Sequence, residues 1–418
     1  MGEGRCRDPP DCGAPSKPLE PPTPLAGRIR TGAGGLSNDA GPWRWFGLAE
    51  FDLIHLARTG QREVATARLD DALRAQVKIL RVFATAERLF MLTPTMVGYD
   101  DALRWLLGEM TARGIYMEFS VFQDAQLLYP TNAGREQVLR TLLASYKAEP
   151  GIVWALANEP SFNGWDSATD PDLLALAEIL AAQLGHRDFL IGDPPDGDNE
   201  DASAETIAES KELARHCNLL CLHSSRKGGA APDGNSRLRR WIDHLEGAAD
   251  IVSACKGSNP TVYLVHNEPM GHASQRFVPI GGGRTYEREY DPDCAIAAGL
   301  TAIFSGLGYT YHRIAAQDPG TPGLEELGAL LAEIPAGSPW AYRNDGWNGS
   351  PTNGFTWQGK VRHWTNGQQA HSLAYGLDRV GTETWVNGYR VTSTRYASPP
   401  NESGDLARSK VAVYEASK

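Results

Sequence analysis

The chain has 418 residues, with 51 acidic against 40 basic side chains and a formal charge of −11. That balance excludes the basic stripe a nucleic-acid partner requires. Its 41% hydrophobic content is ample for a sizeable core, yet no apolar run reaches the ~20 residues of a membrane-spanning helix, so no membrane partner is expected.

The first 27 residues are rich in proline and carry no apolar core of the kind a signal peptide needs, so they read as a disordered leader. Regular structure is expected from about Arg28. "RIRTGAGGLSNDAGPWRWFGLAEF" reads as a short hairpin turning at Asn38-Asp39-Ala40-Gly41-Pro42 and running into a strand at 44–49. Further short strands, apolar on both faces, are expected at 79–84, 115–122, 152–157, 188–192, 218–223, 261–266 and 307–312. Between them, apolar residues recur at helical spacing over 62–76, 100–113, 135–148, 171–184, 204–215, 236–256, 291–304 and 323–334. Eight strands each followed by a helix predict an α/β fold, a (β/α)8 TIM barrel over residues 28–340. A doubly wound sheet would need a Gly-rich phosphate turn opening a helix, and "TGAGG" at 31–35 precedes a turn instead. Residues 341–418 change texture to strand-like segments with Asn-Gly turns at 366–367 and 387–388, and read as a small β appendage packed on the barrel.

Of the six cysteines, Cys6 and Cys12 read as a bridge or as free thiols. The Cys217–Cys221 pair lacks the second ligand pair of a structural metal site.

Two stretches carry the chemistry. "IVWALANEPSF" ends the fourth expected strand on Asn158-Glu159-Pro160, and "TVYLVHNEPMG" ends the seventh on Asn267-Glu268-Pro269. A lone Glu before Pro is often an extended loop residue. Two of them at strand ends of one barrel rim put Glu159 and Glu268 where side chains converge above the barrel axis. Two convergent carboxyl groups are what glycosidic cleavage needs: one protonated to protonate the leaving oxygen, one ionised to attack the anomeric carbon or activate water. A separation of about 5–5.5 Å gives retention, and about 6.5–9.5 Å gives inversion.

On these motifs, residues 28–340 resemble the clan of retaining (β/α)8 glycoside hydrolases typified by glycoside hydrolase family 5, the cellulase and β-mannanase type. The resemblance implies that Asn158 binds the sugar 2-hydroxyl, Glu159 is the acid/base and Glu268 the nucleophile. It implies that Arg81, in "ILRVFA", lies beside the nucleophile and keeps it ionised; a charge inside an apolar strand needs a carboxylate partner in any case. It places His223 at the rim of strand six, where the family carries an aromatic residue two positions on and this chain has Ser225. Tyr311 and His312, in "GYTYHR", stand where the family has an aromatic platform. Asp124 is placed to bind a sugar hydroxyl or to cap the following segment. Of His266 and Asn267, one is expected to face the pocket and one the barrel wall. Trp165, in "SFNGW", is read as a sugar subsite. Trp340, Trp347 and Trp357 are read as further subsites or as the seal between barrel and appendage.

The function expected is a retaining O-glycoside hydrolase acting on an oligosaccharide or polysaccharide, with no cofactor and no metal, as a monomer. Glycan substrates make an extracellular site of action the expectation, although no signal peptide is visible. The competing reading is a barrel that binds carbohydrate without cleaving it, for which Ser225 and the uncommon Pro after Glu268 speak. A metal-dependent hydrolase using His223, His266, His272 and His312 lacks His-x-His or His-Glu-x-x-His spacing. A serine hydrolase lacks Gly-x-Ser-x-Gly.

Overall fold

The computed structural model of the protein describes residues 23–193, 204–223, 251–267, 278–281, 284–286, 292–304, 306–313, 321, 323–332, 334, 336, 341–343, 360–365, 369–377, 385–386, 389–397 and 410–417. The chain opens with three short antiparallel strands, β1 (Arg30–Gly32), β2 (Gly35–Asn38) and β3 (Gly41–Trp43). The expected hairpin is thus a three-stranded meander. Its second turn is set by Asn38, whose side-chain oxygen accepts the Ala40 N–H at 3.0 Å.

Seven parallel strands follow: β4 (Phe46–Ala49), β5 (Ile79–Phe83), β6 (Tyr116–Phe122), β7 (Ile152–Ala157), β8 (Leu219–Leu222), β9 (Tyr263–His266) and, after the hairpin β10 (Val278–Gly281) and β11 (Arg284–Tyr286), β12 (Gly308–Tyr311). They pair in the order β7-β6-β5-β4-β12-β9-β8, one curled sheet. Residues 188–192, expected as strand five, fill the gap between its two ends without a regular ladder. Leu190 bridges Ala155 in parallel. The Leu156 and Ala157 N–H groups donate to Leu190 O and Ile191 O, each at 2.9 Å, and on the far side Asn218 N–H donates to Arg187 O at 2.8 Å.

Helices Arg62–Arg74, Tyr99–Ala112, Asn132–Tyr146, Pro171–Leu184, Ala204–His216, Pro292–Phe304 and Leu324–Ala332 stand between or after the strands, close to the expected positions. Of the helix expected over 236–256, only 251–256 falls among the described residues and is helical. A further helix, Leu53–Arg58, was not signalled by a helical period of useful length. Local chemistry sets the ends. Thr131 accepts the Gly134 N–H at one start, and Asp170 accepts the Asp172 N–H at another, where Pro171 takes a first-turn position that needs no donor. Gly185, at φ 74°, closes the second helix.

Strand side chains alternate between two cores. Leu48, Leu80, Val82, Met117, Phe119, Trp154 and Leu156 face the helices and join Leu69, Leu103, Leu106, Leu139 and Leu180. Trp45, Ile79, Tyr116, Val153, Leu190, Leu219 and Val265 face inward and are plugged from below by Ile29 and Leu36 of the meander. Burying each such large side chain stabilises the fold by about 1.5–3 kcal/mol. The barrel is tight enough that a Cβ on Gly47 would lie 2.8 Å from Thr310 Oγ1. Above the apolar interior layer, towards the C-terminal ends of the strands, the inward residues become polar: Arg81, Glu118, Thr310 and Asn267.

The described residues beyond 340 form a six-stranded antiparallel sheet, ordered β13 (Ala341–Arg343), β14 (Lys360–Thr365), β15 (Gln369–Leu377), β18 (Lys410–Ser417), β17 (Tyr389–Ala397), β16 (Trp385–Val386). Its β15 and β18 lie against the helix Pro292–Phe304. The Asn-Gly turns expected at 366–367 and 387–388 lie outside the described residues. Among the described residues, no helix is long and apolar enough to cross a membrane.

Candidate active site

The polar interior layer begins with an ion pair fixed by strand register. Arg81 of β5 stands opposite Glu118 of β6, and Arg81 Nε lies 3.2 Å from Glu118 Oε1 with both side chains about 2% exposed or less. The carboxylate that a buried arginine demands is therefore met across the sheet. Two stacked rings, Phe51 and Phe83, with centroids 4.1 Å apart, flank the guanidinium, which lies 5.5 Å from the Phe51 centroid. Glu118 Oε1 also accepts the Asn267 amide N–H at 2.7 Å. Asn267 Oδ1 accepts the Thr310 hydroxyl at 3.0 Å, and Thr310 Oγ1 accepts the Trp45 indole N–H at 3.1 Å. Of the pair in doubt, Asn267 is thus the one that faces the barrel interior, and alternation turns buried His266 to the other side.

Arg81 reaches a second partner. Its terminal nitrogen donates to Asn158 Oδ1. A guanidinium only donates, so the amide oxygen must face it and the amide nitrogen must face away. That nitrogen lies 3.3 Å from Glu159 Oε2. Arg81 thereby sets the amide orientation that aims Asn158 at Glu159.

Glu159 itself sits at φ 40°, in the left-handed region that a glutamate seldom adopts. Such a conformation costs about 1–3 kcal/mol and persists only where the surroundings enforce it. Here Pro160 starts a short 3-10 turn, and its ring packs so closely on Gly192 that a Cβ there would fall 2.5 Å from Pro160 Cγ. Buried Asn163 folds back to donate to Asn158 O and, at 3.1 Å, to Glu159 O, while its oxygen accepts the Asp124 N–H. The result is an elbow that lifts Glu159, with its side chain 29% exposed, out of an otherwise buried strand end. Asn163→Ala should cost about 1–3 kcal/mol for each buried backbone group left unmatched. Urea denaturation would register this as a lower midpoint at unchanged slope.

His223, just past β8, comes to the same point. Its Nε2 is 3.4 Å from the Arg81 guanidinium, and its Nδ1 is 3.5 Å from Glu159 Oε1 and 3.5 Å from Asp193 Oδ2. Arg81, Asn158, Glu159 and His223, all singled out from the sequence, thus meet at the ends of β5, β7 and β8. His312 also stands at the rim, buried, its ring 5.6 Å from that of Phe51.

Three other expected residues are placed elsewhere. Tyr311 belongs with Tyr309 to the core between sheet and helices, because Thr310, bonded to Asn267 and Trp45, takes the inward position between them. Trp165 is 4% exposed, packs 5.7 Å from Phe122 and carries the Arg135 guanidinium 4.2 Å above its ring, so it is part of the core and not a free platform. Asp124 is 1% exposed, and its Oδ2 accepts the Glu87 and Arg88 N–H groups, each at 3.0 Å. It ties down the loop after β5 and makes no cap bond to the helix that follows it. Glu268, Ser225, His272, Trp340, Trp347 and Trp357 lie outside the described residues.

Glu118, Asn163 and Asp193 join the site without having been singled out. Glu118 carried the same signal as Arg81, a charge inside an apolar strand, and Asp193 ends "FLIGD" as Glu159 ends its own strand. Cys217 and Cys221 are buried free thiols. Burial pushes the Cys217 thiol up to about 12 and the Cys221 thiol well above its usual value, which keeps both protonated. Among the described residues, no three or more His, Cys, Asp or Glu side chains are grouped to hold a metal ion.

No protein-family model matches the chain, and no curated protein matches it by sequence. Solved structures match in fold. A glycoside hydrolase superposes with a TM-score of 0.58 at 13% identity, over 93% of this chain and 97% of the other. A glycoside hydrolase family 5 protein from Bacteroides vulgatus gives 0.55 at 14%, over 93% and 94%. The native β-glucanase of Saccharophagus degradans gives 0.50 at 14%, over 77% and 98%. At such identities the likeness establishes the fold, an α/β barrel of the kind these proteins share.

Proposed function

We propose that the chain is a glycoside hydrolase that cleaves O-glycosidic bonds with retention, Glu159 acting as acid/base and Glu268 as nucleophile. The observation that carries this reading is the chain of contacts from Arg81 through Asn158 to Glu159, met by His223, at the ends of parallel barrel strands. Polar side chains buried so deliberately around one partly exposed carboxyl suit proton transfer better than packing. The fold shared with glycoside hydrolases supports the same reading.

In the first step Glu159 gives its proton to the glycosidic oxygen, which leaves with the electrons of the broken C–O bond, while the Glu268 carboxylate bonds to the anomeric carbon. Glu159, now ionised, faces the Asn158 amide N–H, and both stabilise a nearby hydroxyl and the incoming water. In the second step Glu159 takes a proton from that water, which displaces Glu268. An acidic chain suits a neutral glycan, and the β-glucanase among the structural neighbours makes β-glucans the first substrates to try.

Glu268→Gln is the test. Wild type should hydrolyse at least one member of a panel of aryl glycosides, β-glucans and β-mannans. The variant should lose that activity by at least about 10⁴-fold while retaining glycan binding, because no covalent intermediate can form. Full activity in Glu268→Gln would end the two-carboxylate reading. Glycan binding by wild type with no hydrolysis of any panel member would favour the non-catalytic alternative.

A further inference from the structure

Asp193 ends the segment that fills the gap between β7 and β8, and it is 4% exposed. Its Oδ2 stands 3.5 Å from His223 Nδ1, the nitrogen that also lies 3.5 Å from Glu159 Oε1. On the opposite side of the ring, the Arg81 guanidinium meets Nε2 at 3.4 Å. Arginine has no lone pair to offer, so Nε2 must keep its own, and a proton there would face a cation. The single imidazole proton is left on Nδ1, between two carboxyl groups.

We infer that Asp193 is a positioning residue: with Arg81 it locks His223 as the neutral Nδ1–H tautomer and holds that N–H against Glu159. This rests on the reading of Glu159 as acid/base. His223 then acts as a fixed donor. It meets the carboxylate that appears on Glu159 when the proton leaves for the glycosidic oxygen, and it takes no proton itself. Among the described residues, the charged and titratable groups at the ring and those next to its partners agree with this. Arg81 and Glu118 come from β5 and β6, and the guanidinium is already paired across the sheet at 3.2 Å. Cys221, from β8, is buried and protonated. Asp193 and Glu159 come from the two elements on either side of Gly192 and Pro160, whose close packing fixes their spacing.

A carboxylate that orients a histidine changes rate without touching substrate. Asp193→Asn should therefore lower kcat/KM about 10- to 100-fold on an alkyl glycoside, whose leaving group needs the proton. The same variant should stay within about threefold of wild type on a dinitrophenyl glycoside, which leaves unaided. Asp193→Glu should restore part of the loss. Nitrogen-15 NMR of histidine-labelled protein, with the His223 signals assigned by their loss in His223→Gln, reads the lock directly. Wild type should show Nδ1 protonated and Nε2 bare across the neutral range. Asp193→Asn, or Asp193→Ser should the first not fold, should show a mixture of tautomers. A wild-type ring protonated on Nε2, or an equal loss on both substrates, overturns the inference. Should Glu159→Gln fail to separate the two substrates, the acid/base reading falls, and the NMR result still decides whether Asp193 locks His223.

Discussion

Glu159→Gln is expected to cut kcat/KM on an alkyl glycoside or an oligosaccharide by about 10²–10⁴-fold, the usual contribution of a positioned acid. On a dinitrophenyl glycoside kcat/KM should barely change, because the departing phenolate needs no proton. The turnover number on that substrate should nevertheless fall, since on the proposed mechanism the same residue activates water in the second step. Added azide, a nucleophile that needs no base, should raise the turnover number again and yield the glycosyl azide with retained configuration. Gln is the informative replacement because its carbonyl oxygen can still accept the Asn158 amide N–H now 3.3 Å away, and Asn163 still holds the elbow. Loss of fold is therefore not expected to mimic loss of acid. Equal losses on both substrates, or no azide effect, would mean that Glu159 does not transfer the proton.

The parts of the molecule legible from sequence are those whose signal is local. Helix Pro171–Leu184 starts at a capping Asp-Pro and ends before a Gly, and both boundaries match the expected ones. β7 matches to the residue because "IVWALA" is apolar on both faces and stops at a polar triplet. What stayed hidden depends on partners far along the chain. Glu118 matters because parallel register sets it opposite Arg81, 37 positions earlier. In "GYTY" all four residues are buried, so nothing local tells which face turns inward. Thr310 takes that face because Trp45 and Asn267 each supply a bond to its hydroxyl, which sends Tyr311 outward. Trp165 follows Gly164, a composition typical of exposed loops, yet Arg135 and Phe122 enclose it. Asp193 ends its segment as Glu159 does, but its role depends on His223, thirty residues further on, which no local pattern reveals.

Arg81→Met should destabilise the fold by about 3–5 kcal/mol, because it removes one partner of a buried ion pair and leaves the other uncompensated. Glu118 has 1% of its side chain exposed and cannot turn to solvent. It must remain charged beside the Asn267 amide or take up a proton. Uptake of a proton in the folded state links stability to pH with a definite sign. The variant's deficit against wild type should shrink as pH is lowered and grow as it is raised, since the folded variant then binds more protons than the unfolded chain. Arg81→Met/Glu118→Gln should recover at least half of the lost stability. Gln removes the charge, and its carbonyl can still accept the Asn267 N–H that Glu118 accepts at 2.7 Å. Activity should not return in the double variant, for a reason separate from stability. Without the guanidinium nothing fixes the Asn158 amide oxygen, so its N–H is no longer aimed at Glu159, and His223 is free to carry its proton on Nε2. Urea denaturation of the four proteins of this cycle at two pH values, beside kcat/KM on the alkyl glycoside, separates the two effects. A double variant no more stable than Arg81→Met would show that the buried charge of Glu118 is not what the arginine answers.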